Sequence, residues 1–325
     1  PISKLMSLLS PLLALGLTAL LAAALFAALG KDPARGLAIF FVEPWSNLRQ
    51  ISELLLKATP LITIALGLAV CYRSDVWNIG AEGQFLLGVL AGGGVALWLT
   101  TQGIVLPRAL ALPLVLAGGV LGGMAWAALT ALLRDRFNAS EILVSLMMVY
   151  IADMVLGYLV YGPWKDPAGY NFPQTITFLK STQVPRLVEG FRVNIGLPIA
   201  LAAVAGFWVL LFRTYAGFQL QVGGLAPAAA RYAGFSSRKA LWMALLLSGG
   251  MAGLAGALEV AGPLGQLTPY VPAGYGFAAI IVAFVGRLHP VGAIFAAILM
   301  SMFYIGGELA QSRLGLPKSL TGVFQ

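Results

Sequence analysis

Side chains able to act on a polar solute are scarce in this sequence, and the densest group is Trp77-Asn78-Ile79-Gly80-Ala81-Glu82-Gly83-Gln84. Two glycines there allow backbones to approach closely. Asn78, Glu82 and Gln84 bring two amides and a carboxylate next to long apolar runs, where a polar group is costly unless partnered. Two roles fit them: lining a cavity that handles a polar solute, or capping backbone groups freed by a broken helix. Asp153 and Glu259 lie within apolar runs and also need partners. They read either as the relay of a proton-coupled carrier or as interhelical hydrogen-bond anchors, and the lack of a matching series of ionisable groups favours anchors. Arg287-Leu288-His289-Pro290 forms a second break, in which a lone histidine reads as a structural donor.

Other chemistry is missing from the residue list. The sequence has one cysteine, Cys71, and one histidine, His289, so neither a disulfide nor a thiolate or imidazole metal site is expected. It shows no glycine-rich phosphate loop ending in Lys-Ser or Lys-Thr, no HExxH and no nucleophile elbow. No catalytic residue is therefore expected, any energy source lies on another polypeptide, and an intramembrane enzyme has no nucleophile and base to support it.

These residues must be positioned by membrane helices. Of 325 residues, 59% are hydrophobic and 10% charged, and the mean hydropathy is +0.89. Soluble domains carry about 25% charged residues to wet their surfaces, so this is an integral membrane protein. The net charge of +8 is spread between apolar runs rather than clustered, which excludes a nucleic-acid reader. Spans are predicted over Leu5 to Leu29, Leu106 to Leu133, Ile142 to Val160, Ile195 to Phe212 and Leu241 to Val260. Residues 30–57 read as an amphipathic segment lying at the outer interface. Pro60 to Cys71 and Gly276 to Val285 are too short to span, and each is followed by a break and a longer apolar run. The pattern predicts an all-α polytopic bundle of about 8–10 helices, with two interrupted half-helix hairpins forming a weak internal repeat.

Between the spans lie a polar loop over 163–194 and a basic loop over 213–240. Within the second, Pro227 suits a first helical turn and Gly234 a C-terminal cap, so a short alanine-rich helix outside the membrane is predicted. A helix that short needs something to dock on. Base density favours placing the basic loop inside and 163–194 outside, whereas the raw count of bases does not. The sequence lacks an initiator Met and stops at Val323-Phe324-Gln325 as an apolar pattern resumes, so a further C-terminal helix is expected.

Several segments carry a resemblance. They are Asn78 to Gln84, Phe137-Asn138-Ala139-Ser140-Glu141-Ile142 with Met147 to Tyr150, Gly162 to Pro167, Ala229 to Gly234, Gly256 to Glu259, and Gly274 to Phe277 through Gly286 to Pro290. In order and type they resemble the integral membrane permeases of ATP-binding cassette importers of the ribose, simple-sugar and branched-chain amino acid group, and most closely the longer permease of nucleoside uptake systems. Ala139-Ser140 stands where Gly-Val is expected, and Asp153 is an unexpected acid.

The resemblance implies a single permease domain over 1–325 in a prokaryotic inner membrane, importing a nucleoside or a related solute such as a simple sugar by alternating access. It implies a second related permease, a periplasmic or lipid-anchored binding protein, and a cytoplasmic ATPase holding ATP and Mg, with no cofactor in this chain. By the same likeness Trp77, Asn78, Glu82, Gln84, Tyr275, Phe277 and Glu259 face the solute. Gly223, Gly224, Ala226, Ala229, Arg231, Tyr232 and Gly234 belong to the coupling helix that meets the ATPase, and Trp164, Lys165 and Asp166 meet the binding protein. The alternative is a stand-alone channel or proton-coupled carrier using Asp153 and Glu259, since re-entrant half-helices also build channels.

Overall fold

A computed structural model describes residues 2–317 and 319–324. Its helices are α1 (Ile2–Ala28), α2 (Pro33–Phe41), α3 (Leu48–Arg73), α4 (Ala81–Thr101), α5 (Arg108–Phe137), α6 (Glu141–Tyr161), α7 (Gly196–Arg213), α8 (Tyr215–Leu225), α9 (Pro227–Tyr232), α10 (Ser237–Glu259), α11 (Tyr275–Val285), α12 (Pro290–Leu314) and α13 (Leu320–Phe324). Seven are long and apolar enough to cross a membrane: α3 to α7, α10 with its π turn to Leu264, and α12. Leu12–Ala28 of α1 and the whole of α11 are apolar but shorter. The expected helix beyond Gln325 lies outside the described residues.

The chain forms two compact units, Pro1–Lys57 with Ile298–Gln325, and Ala58–Ala297. In the first, the Phe26 and Phe40 rings meet with centroids 5.9 Å apart. Two ion pairs, Lys57 to Glu308 at 2.8 Å and Arg313 to Glu43 at 2.6 Å, tie the start of α3 and its preceding turn to the far part of α12.

The second unit is built around α4, α5 and α10, which cross at glycines. A Cβ added at Gly88 would lie 2.4 Å from the Cα of Gly253, and one at Gly123 would lie 2.1 Å from the Gly249 carbonyl oxygen. In lipid there is no hydrophobic drive to bring helices together, so small residues that let backbones touch supply the packing instead. The most apolar stretches of α5, α6 and α7 are only 28% buried, leaving wide faces for lipid or a partner.

The structure departs from the expected hairpins. There is no half-helix over Pro60 to Cys71, because α3 runs unbroken from Leu48 through Pro60 to Arg73. Proline removes one backbone donor, a loss that a helix packed among neighbours tolerates. The segment 30–57 accordingly divides into α2, a short turn and the first ten residues of α3. Ser52, Leu54 and Leu56 of this stretch of α3 are buried by the protein. At the second hairpin α11 is indeed short at 11 residues, but its return helix α12 runs on to Leu314. The two halves of the expected repeat are thus unequal.

Local signals fix several helix starts. Ser140 precedes α6, and its Oγ accepts from Leu143 N–H, so the Ala-Ser replacement noted above serves as an N-cap. Thr214 caps α8 by accepting from Gly217 N–H at 3.1 Å. Pro227 occupies the first turn of α9, and Gly234 follows its end with φ +81°, as predicted.

Candidate functional site

The first break runs from Ser74 to Gly80 and carries no helix between α3 and α4. Val76 N–H and Asn78 N–H donate to the Cys71 and Val76 carbonyls, and side chains answer further backbone groups. Tyr72 Oη donates to the Asn78 carbonyl at 2.9 Å, and Ile79 N–H donates to Ser145 Oγ of α6 at 3.1 Å. Asn78 and Gln84 are buried and form a reciprocal amide pair: Asn78 Nδ2 donates to Gln84 Oε1 at 3.0 Å, and Gln84 Nε2 to Asn78 Oδ1 at 3.1 Å. Asn78 also donates to Ser248 Oγ of α10 and accepts from Gly80 N–H, each at 3.0 Å.

Glu82 joins this break to the second hairpin. Its carboxylate accepts from Gly274 N–H at 3.2 Å through one oxygen and from Gly276 N–H at 2.5 Å through the other. Those donors open α11, where free N–H groups and the helix dipole favour a negative charge. The contact needs glycine at 276, since a Cβ there would sit 2.2 Å from Glu82 N. Of the two roles left open by the sequence, this geometry builds the cap, with every polar group of Asn78, Glu82 and Gln84 engaged by the protein.

The remaining expected solute residues scatter. Trp77 is 40% exposed and lies against Tyr72 and Phe284 at centroid distances of 5.4 and 6.2 Å, with its Nε1 donating to Asp75 at 3.0 Å. Phe277 is equally exposed, whereas Tyr275 is buried edge-on against Phe85. Glu259 is half-buried at the end of α10, where the helix widens into the π turn, rather than mid-helix. Asp153 is exposed on the face of α6 that also presents Tyr150 and Met154, so it is not an anchor buried against another helix of this chain. Among the described residues no group of His, Cys, Asp and Glu is arranged to hold a metal ion.

The basic segment forms a knob of two short helices. Leu225 and Tyr232 are 86% and 96% exposed on it, while Arg231 and Ala229 are also at the surface. A cavity of about 430 Å³ beside them is lined by Gln219, Gly223, Pro227, Arg231 and Phe235, and by Met243 of α10. Gly224 differs from its neighbours: it faces inward, and a Cβ there would lie 2.1 Å from the Arg73 carbonyl oxygen. It is a packing glycine at the first break rather than an outward contact.

Residues 50–325 match the family described as branched-chain amino acid transport system / permease component. The chain belongs to that family. This permease is 34% identical to the glucose ABC transporter permease protein of Haloferax volcanii, over 92% of this chain and 80% of that protein. It is 30% identical to the guanosine ABC transporter permease protein of Bacillus subtilis, over 99% and 92%, and 28% identical to the nucleoside ABC transporter permease protein of Lactococcus lactis subsp. cremoris, over 99% and 89%. It is thus a multi-pass membrane protein and the permease component of an ATP-driven importer, a transport component rather than an enzyme. Membership implies an ATPase and a substrate-binding partner and does not favour a stand-alone channel or proton-coupled carrier.

The loop over 163–194 is folded onto the permease. Thr175 and Leu267 exchange two hydrogen bonds, Phe178 N–H donates to Gly265 and Val184 N–H to Ala261. Trp164 packs its ring on Gly94 of α4 and lines a cavity of about 930 Å³ with Leu90, Trp98 and Leu114. Lys165 Nζ donates to Asn171, and Asp166 accepts from Ala168 N–H at 2.9 Å, so all three expected contact residues also build the loop itself. Sequence reasoning missed Arg73, Ser145 and Ser248. Ser145 and Ser248 are ordinary polar residues in apolar runs, 66 and 170 positions from the break residues they bond. Arg73 lies at the break but finds its partners 148 and 215 positions away.

Proposed function

We propose that this permease carries a nucleoside, or a related small polar solute such as a simple sugar, into a prokaryotic cytoplasm by alternating access. The observation that carries the substrate class is near-complete alignment with permeases named for guanosine and nucleosides, alongside the glucose permease. In this reading 1–325 is one permease domain that pairs with a second, related permease in the inner membrane. The α8–α9 knob, within the cytoplasmic segment 213–240, seats in a groove of the ATPase through Ala226, Ala229, Arg231 and Tyr232; ATP and Mg reside on that ATPase. Its support is the exposure of Leu225 and Tyr232, large apolar side chains that this chain leaves uncovered. The outer loop over 163–194 receives the binding protein.

In this reading solute passes the exposed rings of Trp77 and of Phe277, with Asn78, Glu82, Gln84, Tyr275 and Glu259 shaping the wall of the path. The test is ATP-dependent uptake by the complete transporter in proteoliposomes, offered labelled guanosine, adenosine, uridine, ribose and glucose. Nucleoside uptake that unlabelled nucleoside suppresses and glucose does not is the expected result. Uptake of glucose alone would replace the nucleoside reading with the sugar one.

A further inference from the structure

Arg73 ends α3 at the first break, and its side chain reaches the other two regions singled out above. Nε donates to the Leu288 carbonyl of the second break at 2.7 Å, and Nη1 donates to Gln221 Oε1 of α8 at 2.7 Å. The guanidinium lies over the Phe212 ring of α7, 5.2 Å from its centroid, and that ring stacks on His289. Gln221 is itself fixed, because its Nε2 donates to the Leu211 carbonyl at 2.6 Å and to the Gly217 carbonyl at 3.3 Å, which turns its oxygen toward Arg73. Gly224, one turn further along α8, rests on the backbone of Arg73 and Ser74. A planar guanidinium holds two acceptors in fixed relative positions, which an ammonium on a flexible stem does not.

We propose that Arg73 is a positioning residue that clamps the α8–α9 knob to both helix breaks, so that a displacement of the knob reaches the two breaks together. This deepens the reading of the knob as the surface that meets the ATPase and rests on it. Rigid elements joined by hydrogen bonds carry coupling between distant sites, and the coupling is lost when the joint is cut. The joint here is two bonds and one stacked ring. The aromatic contact of Trp77 with Phe284 and Tyr72 lies in the same region, so the exposed edge assigned to the solute would move with the clamp.

The test uses the complete transporter in proteoliposomes, with uptake and ATP hydrolysis measured side by side and normalised to assembled complex. Arg73→Gln and Gln221→Leu are expected to lower solute moved per ATP hydrolysed by about tenfold while hydrolysis persists. Gln221→Glu keeps an acceptor for Arg73 but loses the donations to Leu211 and Gly217, so it and Arg73→Lys are both expected to fall between the parent and Gln221→Leu. The double variant Arg73→Gln/Gln221→Leu should be no worse than either single one, because both cut the same joint. Uptake and hydrolysis falling in parallel, or losses that multiply in the double variant, would overturn the clamp. Should Arg73→Gln not assemble, the comparison of Gln221→Leu with Gln221→Glu decides alone. Tyr232→Asp separates the two levels: if it leaves the ratio unchanged, the knob does not meet the ATPase and the clamp falls with it. If Tyr232→Asp uncouples and Arg73→Gln does not, the clamp alone is wrong.

Discussion

The two helix breaks both begin with a local backbone turn but differ in how many side chains from other helices serve them. At the second, between α11 and α12, the backbone closes on itself: Leu288 N–H donates to the Ala283 carbonyl at 2.8 Å, Arg287 N–H to Phe284 at 2.9 Å and His289 N–H to Gly286 at 3.1 Å. Arg287 and Leu288 accept left-handed φ values of 56° and 53° to make that turn. The first break also opens on a local closure, with Val76 N–H donating to the Cys71 carbonyl at 2.9 Å and Asp75 at φ 55°, but its later part, Asn78 and Ile79, is met by side chains from α6 and α10 through Ser145 and Ser248. A local turn survives changes elsewhere in the bundle. A break served from other helices is only as secure as their packing, which suits a place that has to rearrange.

This contrast orders the effects of substitution. The largest is expected at Gly292→Val, because a Cβ there would lie 2.2 Å from the Gly286 carbonyl oxygen and backbone has nowhere to shift. A loss of about 3 kcal/mol or more should show as failure to reach the folded, detergent-stable state. Next comes Asn78→Ala, which leaves Gln84 and Ser248 buried without their partner; about 2–3 kcal/mol is expected, measured as a lowered melting temperature in detergent. Glu82→Gln keeps the shape but replaces one accepting oxygen by a donor facing an N–H, and should cost about 1–2 kcal/mol by the same assay. The smallest effect is expected for Arg287→Gly, within about 1 kcal/mol and in the stabilising direction, since glycine adopts the left-handed conformation without strain. If Asn78→Ala melts like the parent while Arg287→Gly does not, the distinction between a served break and a local one is wrong.

Much of this was legible in residue order. Apolar length announced α5, α6, α7 and α10 to within a few residues, and Pro227 with Gly234 announced α9, because helix ends follow local rules. The half-helix over Pro60 to Cys71 was misread because a proline inside an apolar run weighs heavily in a linear pattern. In the fold it costs one donor within a helix whose most apolar stretch is 89% buried. Gly224 was assigned outward with its neighbours, and only its approach to Arg73 shows it turned in.

By itself the sequence determined that the chain lives in a membrane, where α5, α6, α7, α9 and α10 run, and that the segment from Trp77 to Gln84 must find polar partners. Those conclusions rest on composition and on the desolvation cost of a polar group, which are properties of residues one at a time. Tertiary structure alone decided who the partners are: Glu82 on α11, Asn78 on Ser248, and Arg73 between Gln221 and Leu288. The separations of 194, 170, 148 and 215 residues explain why. Across such distances no local periodicity links two side chains, and the pairing is set by where glycine-lined helices allow their backbones to touch.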